Sequence, residues 1–154
     1  MSEALKIFAF LPRRADLSEQ AFQDHWRHPH ATWGYYVRAL RRYAQGHRLP
    51  CVHLGPEQIR FDGASESWVD NAEAARTVMD DPAYQEYVGP DEARFIDLDH
   101  LTYLIAREEV LDIRSDGADL GVPESLWSRF RAPVSIKVLQ MVPGKAIGWP
   151  GGGV

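Results

Sequence analysis

Apolar positions along the chain change their period several times. Residues 5–11 (LKIFAFL) are almost continuously apolar and stop at Pro12, the pattern of a strand covered on both faces. After a polar turn, Ser18 is placed to cap a helix, with Glu19 in its first turn. That helix carries Phe22, Trp26, His30, Trp33, Val37 and Leu40 at steps of four, four, three, four and three, the helical period. Pro29 interrupts the stripe and biases His28 away from α geometry, so a kink or short break is expected there. Residues 42–48 alternate: Tyr43, Gln45 and His47 share one face, and Arg42, Ala44, Gly46 and Arg48 the other. Residues 49–60 hold Pro50, Gly55 and Pro56 and read as a loop. Residues 61–69 form a third strand with Ala64, Glu66 and Trp68 on one face. Asp70 or Asn71 can cap a short helix running to about Met79. Pro82 restarts a helical piece, residues 91–97 give another, and residues 98–106 a fourth strand.

The order is β-α-β-β-α-β, the ferredoxin-like unit: an α+β fold with a four-stranded antiparallel sheet and its helices on one face. The strands keep apolar residues on both faces, with Phe8 and Phe10 opposite Ile7, Ala9 and Leu11, and Leu104 and Ala106 opposite Tyr103 and Ile105. A second apolar face needs a cover. A second copy of the chain is the economical one, so a homodimer of the dimeric α/β-barrel kind is expected. The chain's own C-terminal segment is the rival cover. Residues 134–145 (VSIKVLQMVPGK) are similar to the opening run ALKIFAFLPRR, as if the first strand were repeated. The domain expected is therefore 1–109. Residues 110–154 follow as an extension with one strand at 134–142 and a glycine-rich tail.

Composition narrows the setting. The chain has 154 residues, suited to one domain, and is 45% hydrophobic and 25% charged. A net charge of −5 argues against a nucleic-acid binder, and Arg38, Arg41 and Arg42 read as a solvated helix end. Cys51 is the single cysteine, so no intrachain disulfide can form. The N-terminal residues lack a signal-peptide apolar run, and no apolar stretch approaches membrane-spanning length. A cytoplasmic protein with no membrane partner is expected.

The densest chemistry is His25-Trp26-Arg27-His28-Pro29-His30. Three histidines in six residues suggest a metal, but Pro29 spoils the helical spacing and no HExxH pattern is present, so no metal site is expected. His30 lies on the apolar stripe between Trp26 and Trp33. It is either a satisfied core histidine or an imidazole in a cavity wall, able to move a proton. If the strand face of Tyr43, Gln45 and His47 meets that stripe, these polar groups converge in an aromatic pocket for a small apolar or aromatic ligand. His30, Tyr43 and His47 are the expected catalytic groups. Trp26, Trp33, Gln45, Glu66 and His25 are the expected substrate contacts. For Glu66 the plainer alternative is a solvent-facing or dimer-facing carboxylate. Cys51-Val52-His53 is discounted as a nucleophilic site, and there is no GxGxxG, P-loop, GxSxG or CxxC.

These residues together resemble the EthD family. Its strand, Arg/Pro turn and "LS…F…HW…HA" helix are matched by Phe10-Leu11-Pro12-Arg13-Arg14, Leu17-Ser18, Phe22, His25-Trp26 and His30-Ala31. Its second strand is matched by Leu40-Arg41-Arg42-Tyr43-Ala44-Gln45-Gly46-His47, and its third by Asp62-Gly63-Ala64-Ser65-Glu66-Ser67-Trp68-Val69. Its "DEARFxD" is matched by residues 91–97. The likeness covers about residues 4–108. Gly46, where the pattern has Asn, and Pro29 depart from it. Some members carry two such units, which the strand at 134–145 resembles. The resemblance implies proteins that accompany ether and xenobiotic degradation. Its relatives include polyketide cyclases, dehydratases, muconolactone isomerases and monooxygenases, several of which use a cavity histidine or tyrosine without a cofactor.

The first expectation is thus a cofactor-independent enzyme that moves protons on a small hydrophobic, aromatic or polyketide-like substrate by isomerisation, cyclisation, dehydration or decarboxylation. The alternatives are a non-catalytic ligand-binding accessory of an oxidative degradation pathway, and a haem- or oxygen-dependent oxidoreductase. Fold alone does not choose among them.

Overall fold

The computed structural model describes residues 4–50, 55, 60–108 and 139. The chain divides into two units, Met1–Leu111 and Asp112–Val154. The strand expected at 134–142 and the glycine-rich tail lie outside the described residues, as do Cys51 and most of the expected loop at 49–60. All the elements that follow belong to the first unit.

In chain order they are β1 (Leu5–Leu11), α1 (Glu19–His25), a π-helical turn (Trp26–His30), α2 (Ala31–Gly34), β2 (Arg42–His47), β3 (Gly63–Val69), α3 (Ala72–Thr77), a 3-10 turn (Val78–Asp80), a second π-helical turn (Tyr84–Val88), α4 (Gly89–Phe95), a second 3-10 turn (Leu98–His100) and β4 (Thr102–Arg107). The strands make one antiparallel sheet of order β2-β3-β1-β4. This is the βαββαβ, ferredoxin-like topology. The almost unbroken apolar run of β1 suits its inner position: Phe8 lies opposite Glu66 on one side and Leu104 on the other. The helices pack on the face that carries Ile7, Ala9 and Leu11.

Local signals place the helices. The Ser18 hydroxyl accepts the Ala21 N–H at 3.1 Å, and the Asn71 side chain accepts the Ala74 N–H at 2.9 Å, satisfying donors that helix starts leave free. Asp70 is not the cap; it binds the Arg41 guanidinium. Pro29 acts as its chemistry requires: His28 is extended, with φ −151° and ψ 125°, between two helical pieces. The bend divides the apolar stripe between two clusters. Phe22 and Trp26 pack with Leu11, Phe95 and Ile96. Val37 packs with Val78 and Val88, and Trp33 lies against them. Gly63 lets the sheet approach the first cluster, because a Cβ there would overlap the Trp26 ring.

Two boundaries differ from expectation. Residues 98–100 are a 3-10 turn rather than strand, because the Asp97 carboxylate and carbonyl both hold His100, at 2.8 and 3.2 Å. The last helix starts at Gly89, with Pro90 in its first turn, and ends at Phe95. No helix among the described residues is long and apolar enough to cross a membrane.

Candidate active site

Between the two clusters the sheet and helices leave a cavity of about 350 Å³, a size suited to a small ligand. Ile7, Ala9, Val37, Val78 and Val88 give it an apolar wall. Arg76 is the one permanent cation among the described residues that line it, and Glu73 accepts its guanidinium N–H.

His30 reaches this wall because the Pro29 bend turns it inward. It is buried, and its Nδ1 lies 2.9 Å from Asp91 Oδ2. His25 Nε2 lies 3.0 Å from the other oxygen of the same carboxylate. Asp91 therefore accepts from two imidazoles. Phe95, four residues along α4 and on the same face, backs both rings at 4.9 and 4.8 Å. With Nδ1–H given to Asp91, the His30 lone pair is on Nε2, which bonds no protein atom among the described residues. Burial lowers the His30 pKa below 6.5, and the opposing pull of Asp91 does not cancel it. The ring is thus a neutral base at neutral pH.

Three more groups meet in the cavity. The Tyr43 hydroxyl accepts the Trp26 Nε1–H at 3.1 Å and the Gln45 amide at 3.4 Å. Ser65, which also lines the cavity, is a further side-chain partner of this hydroxyl. Burial raises its pKa, so it remains a phenol. Glu92, next to Asp91 and a hundred degrees around the helix, faces the cavity and accepts the Tyr84 hydroxyl at 2.7 Å. Burial foremost raises the Glu92 pKa to about 7. Tyr84 is pushed far up by burial and by Glu92, and Tyr103, its neighbour, up to about 12 for the same reasons.

Of the residues expected at the site, the structure brings His30 and Tyr43 together in the cavity and holds the others away. His47 lies on the expected face but under α1. Its nitrogens meet the Gln23 and Gln45 amides, and its ring lies 4.5 Å from Trp26. Gln45 donates to the Trp26 carbonyl at 2.8 Å, so it holds the bend. Trp26 is core and orients Tyr43, whereas Trp33 stacks on Tyr87 at 5.3 Å. His25 supports Asp91 from behind. Glu66 is a correction: strand alternation puts it on the opposite sheet face, where it pairs with Lys6 at 2.9 Å. Asp91, Glu92, Tyr84 and Tyr103 were not expected. The acidic pair stood in view in the DEARF run, but only tertiary packing aims it at the cavity. Among the described residues no cluster of three or more His, Cys, Asp or Glu side chains is arranged to hold a metal ion.

Fold and cavity together define a ferredoxin-like α+β domain with a histidine–aspartate pair at a ligand-sized pocket. The EthD domain model matches residues 14–99, more than half of the chain. The chain belongs to the EthD family. Its structure is similar to an EthD family protein of Bacillus halodurans (22% identity, 69% of this chain and 99% of that chain, TM-score 0.55). It is also similar to a dimeric ferredoxin-like protein of Thermobifida fusca (12%, 70% and 93%, 0.55). A third likeness is to the hydroxynitrile lyase of Passiflora edulis (15%, 72% and 98%, 0.53). No curated protein matches the chain. The fold thus serves at least one enzyme as well as proteins of unknown function.

Proposed function

We propose that this protein is a cofactor-independent enzyme that moves a proton on a small, uncharged, hydrophobic carbonyl compound, with His30 as general base. The observation that carries this reading is the His30 imidazole itself: Nδ1 held by a buried carboxylate, Nε2 open to an apolar cavity. A base of that kind, neutral and desolvated, is matched to abstraction of a weakly acidic proton near pH 7. The Tyr43 hydroxyl donates to the oxygen on which the charge develops. Asp91 fixes the tautomer and stabilises the imidazolium that forms. The active form is taken to be a homodimer, because the helix-free sheet face still exposes Leu104 by 48% and a similar fold occurs in a dimeric protein.

The test is deuterium uptake from D2O at the α-carbon of a small apolar ketone, 4-phenylbutan-2-one, followed by NMR. Wild-type protein is expected to accelerate uptake, and His30→Gln to lose about 10²-fold or more with its melting temperature retained. Equal rates in the two proteins would sink the proposal.

A further inference from the structure

The cavity holds a second proton-bearing centre that general-base chemistry at His30 does not use. Glu92 accepts the Tyr84 hydroxyl through Oε2, while its Oε1 bonds no protein atom among the described residues. Tyr84 comes from the π-helical turn before α4, Tyr103 from β4, Tyr43 from β2, His30 from the Pro29 bend and Arg76 from α3; all line the same space. Asp91 is the adjacent charge on Glu92's own helix. Among the described residues that line the cavity the one cation, Arg76, is paired with Glu73, so burial favours the neutral acid.

Resting on the reading of His30 as base, we propose that Glu92 is the general acid of the same site, and that the substrate is an uncharged β-hydroxy ketone which the enzyme dehydrates. Three separate groups then meet three reacting positions. His30 Nε2 takes the proton from the α-carbon, and the C–H electron pair becomes the enolate held by the Tyr43 hydroxyl. The enolate pair then forms the carbon–carbon double bond as the β C–O bond breaks. Glu92 gives its proton to the departing hydroxide, which leaves as water. The imidazolium returns its proton and Glu92 regains one through solvent, so the net change is ketol to enone plus water, with no oxidant or other reactant. A carboxylate substrate is disfavoured, because among the described lining residues the one permanent cation, Arg76, is already paired with Glu73.

The test uses 4-hydroxy-4-phenylbutan-2-one in D2O, reading α-carbon deuterium uptake by NMR and enone formation by absorbance. The variants are His30→Gln, Glu92→Gln and Tyr84→Phe. The expected result is that His30→Gln loses both readouts. Glu92→Gln should lower the ratio of dehydration to exchange by about 10²-fold and remove the fall in dehydration rate above neutral pH. Tyr84→Phe, which keeps the acid but removes its hydrogen bond, should move that fall to higher pH. Dehydration at the wild-type ratio in Glu92→Gln, with His30→Gln inactive, would overturn the assignment of Glu92 and leave His30 standing. Exchange undiminished in His30→Gln would overturn both. Wild-type protein that exchanges the α-proton but forms no enone would overturn the β-hydroxy ketone.

Discussion

His30 and Asp91 are 61 positions apart in the chain and 2.9 Å apart in space. That hydrogen bond decides which imidazole nitrogen is free. Asn at position 91 would keep the shape but could present its amide N–H to the ring and favour the wrong tautomer. Asp91→Asn is therefore expected to lower the rate by at least about 10²-fold. Steady-state kinetics should show the loss in kcat rather than KM. Unchanged kcat would remove Asp91 from the mechanism.

His30 and Glu92 load stability in opposite directions. The folded Glu92 stays protonated to about 7 against an ordinary value of 4.5. The folded state therefore binds the proton more tightly than the unfolded chain does. Stability should fall as pH rises from 4.5 through 7, by a penalty on the order of 3 kcal/mol. The folded His30 releases its proton below 6.5, so the unfolded chain binds it more tightly and stability should fall as pH drops below that value. Urea unfolding of Glu92→Gln should show a gain over wild type near pH 8 and little difference near pH 4. Parallel curves at the two pH values would contradict the assignment.

Gly34 lines the cavity, and a Cβ built there meets nothing within 4 Å. Gly34→Leu should cost no stability, and helix propensity favours it by up to about 1 kcal/mol. The added side chain takes up ligand space, so affinity for the phenyl ketones should drop by about tenfold or more. Thermal-shift titration gives both quantities, since a ligand raises the melting temperature in proportion to RT ln(1 + [L]/Kd). A variant that binds these ketones as wild type does would place the ligand elsewhere.

Gly63 is required by packing. Its Cβ would overlap the Trp26 ring, which is fully buried beside Phe22 and Phe95. Gly63→Ala should destabilise by about 1–3 kcal/mol, the usual cost of overpacking. Chemical denaturation with an unchanged midpoint would show that the ring has room to move.

Glu66 separates the two sheet faces in experiment. It pairs with Lys6, which also meets Glu108 and lies 4.3 Å over the Trp68 ring. Glu66→Gln should lower the melting temperature, because it weakens a buried ion pair, while turnover per folded molecule stays at the wild-type level. A selective loss of turnover would return Glu66 to the site.

What the sequence by itself determined here is whatever depends on local periodicity and local sterics. Continuous apolar and alternating runs placed the strands, and the 3.6 period placed the first helix. Ser18 and Asn71 capped where their side chains can reach, and Pro29 broke the helix because of its ring. His30 was legible as a cavity-facing candidate because a polar residue on an apolar stripe stands out. Tertiary structure alone decided the rest. Strand alternation sorted Tyr43, Gln45, His47 and Glu66 by face, but only helix packing left Tyr43 in the cavity and placed His47 under α1. Asp91 and Glu92 are consecutive acids with nothing local to tell them apart. Their roles diverge because the helix turns a hundred degrees between them, so one meets two histidines and the other meets Tyr84 in the apolar cavity.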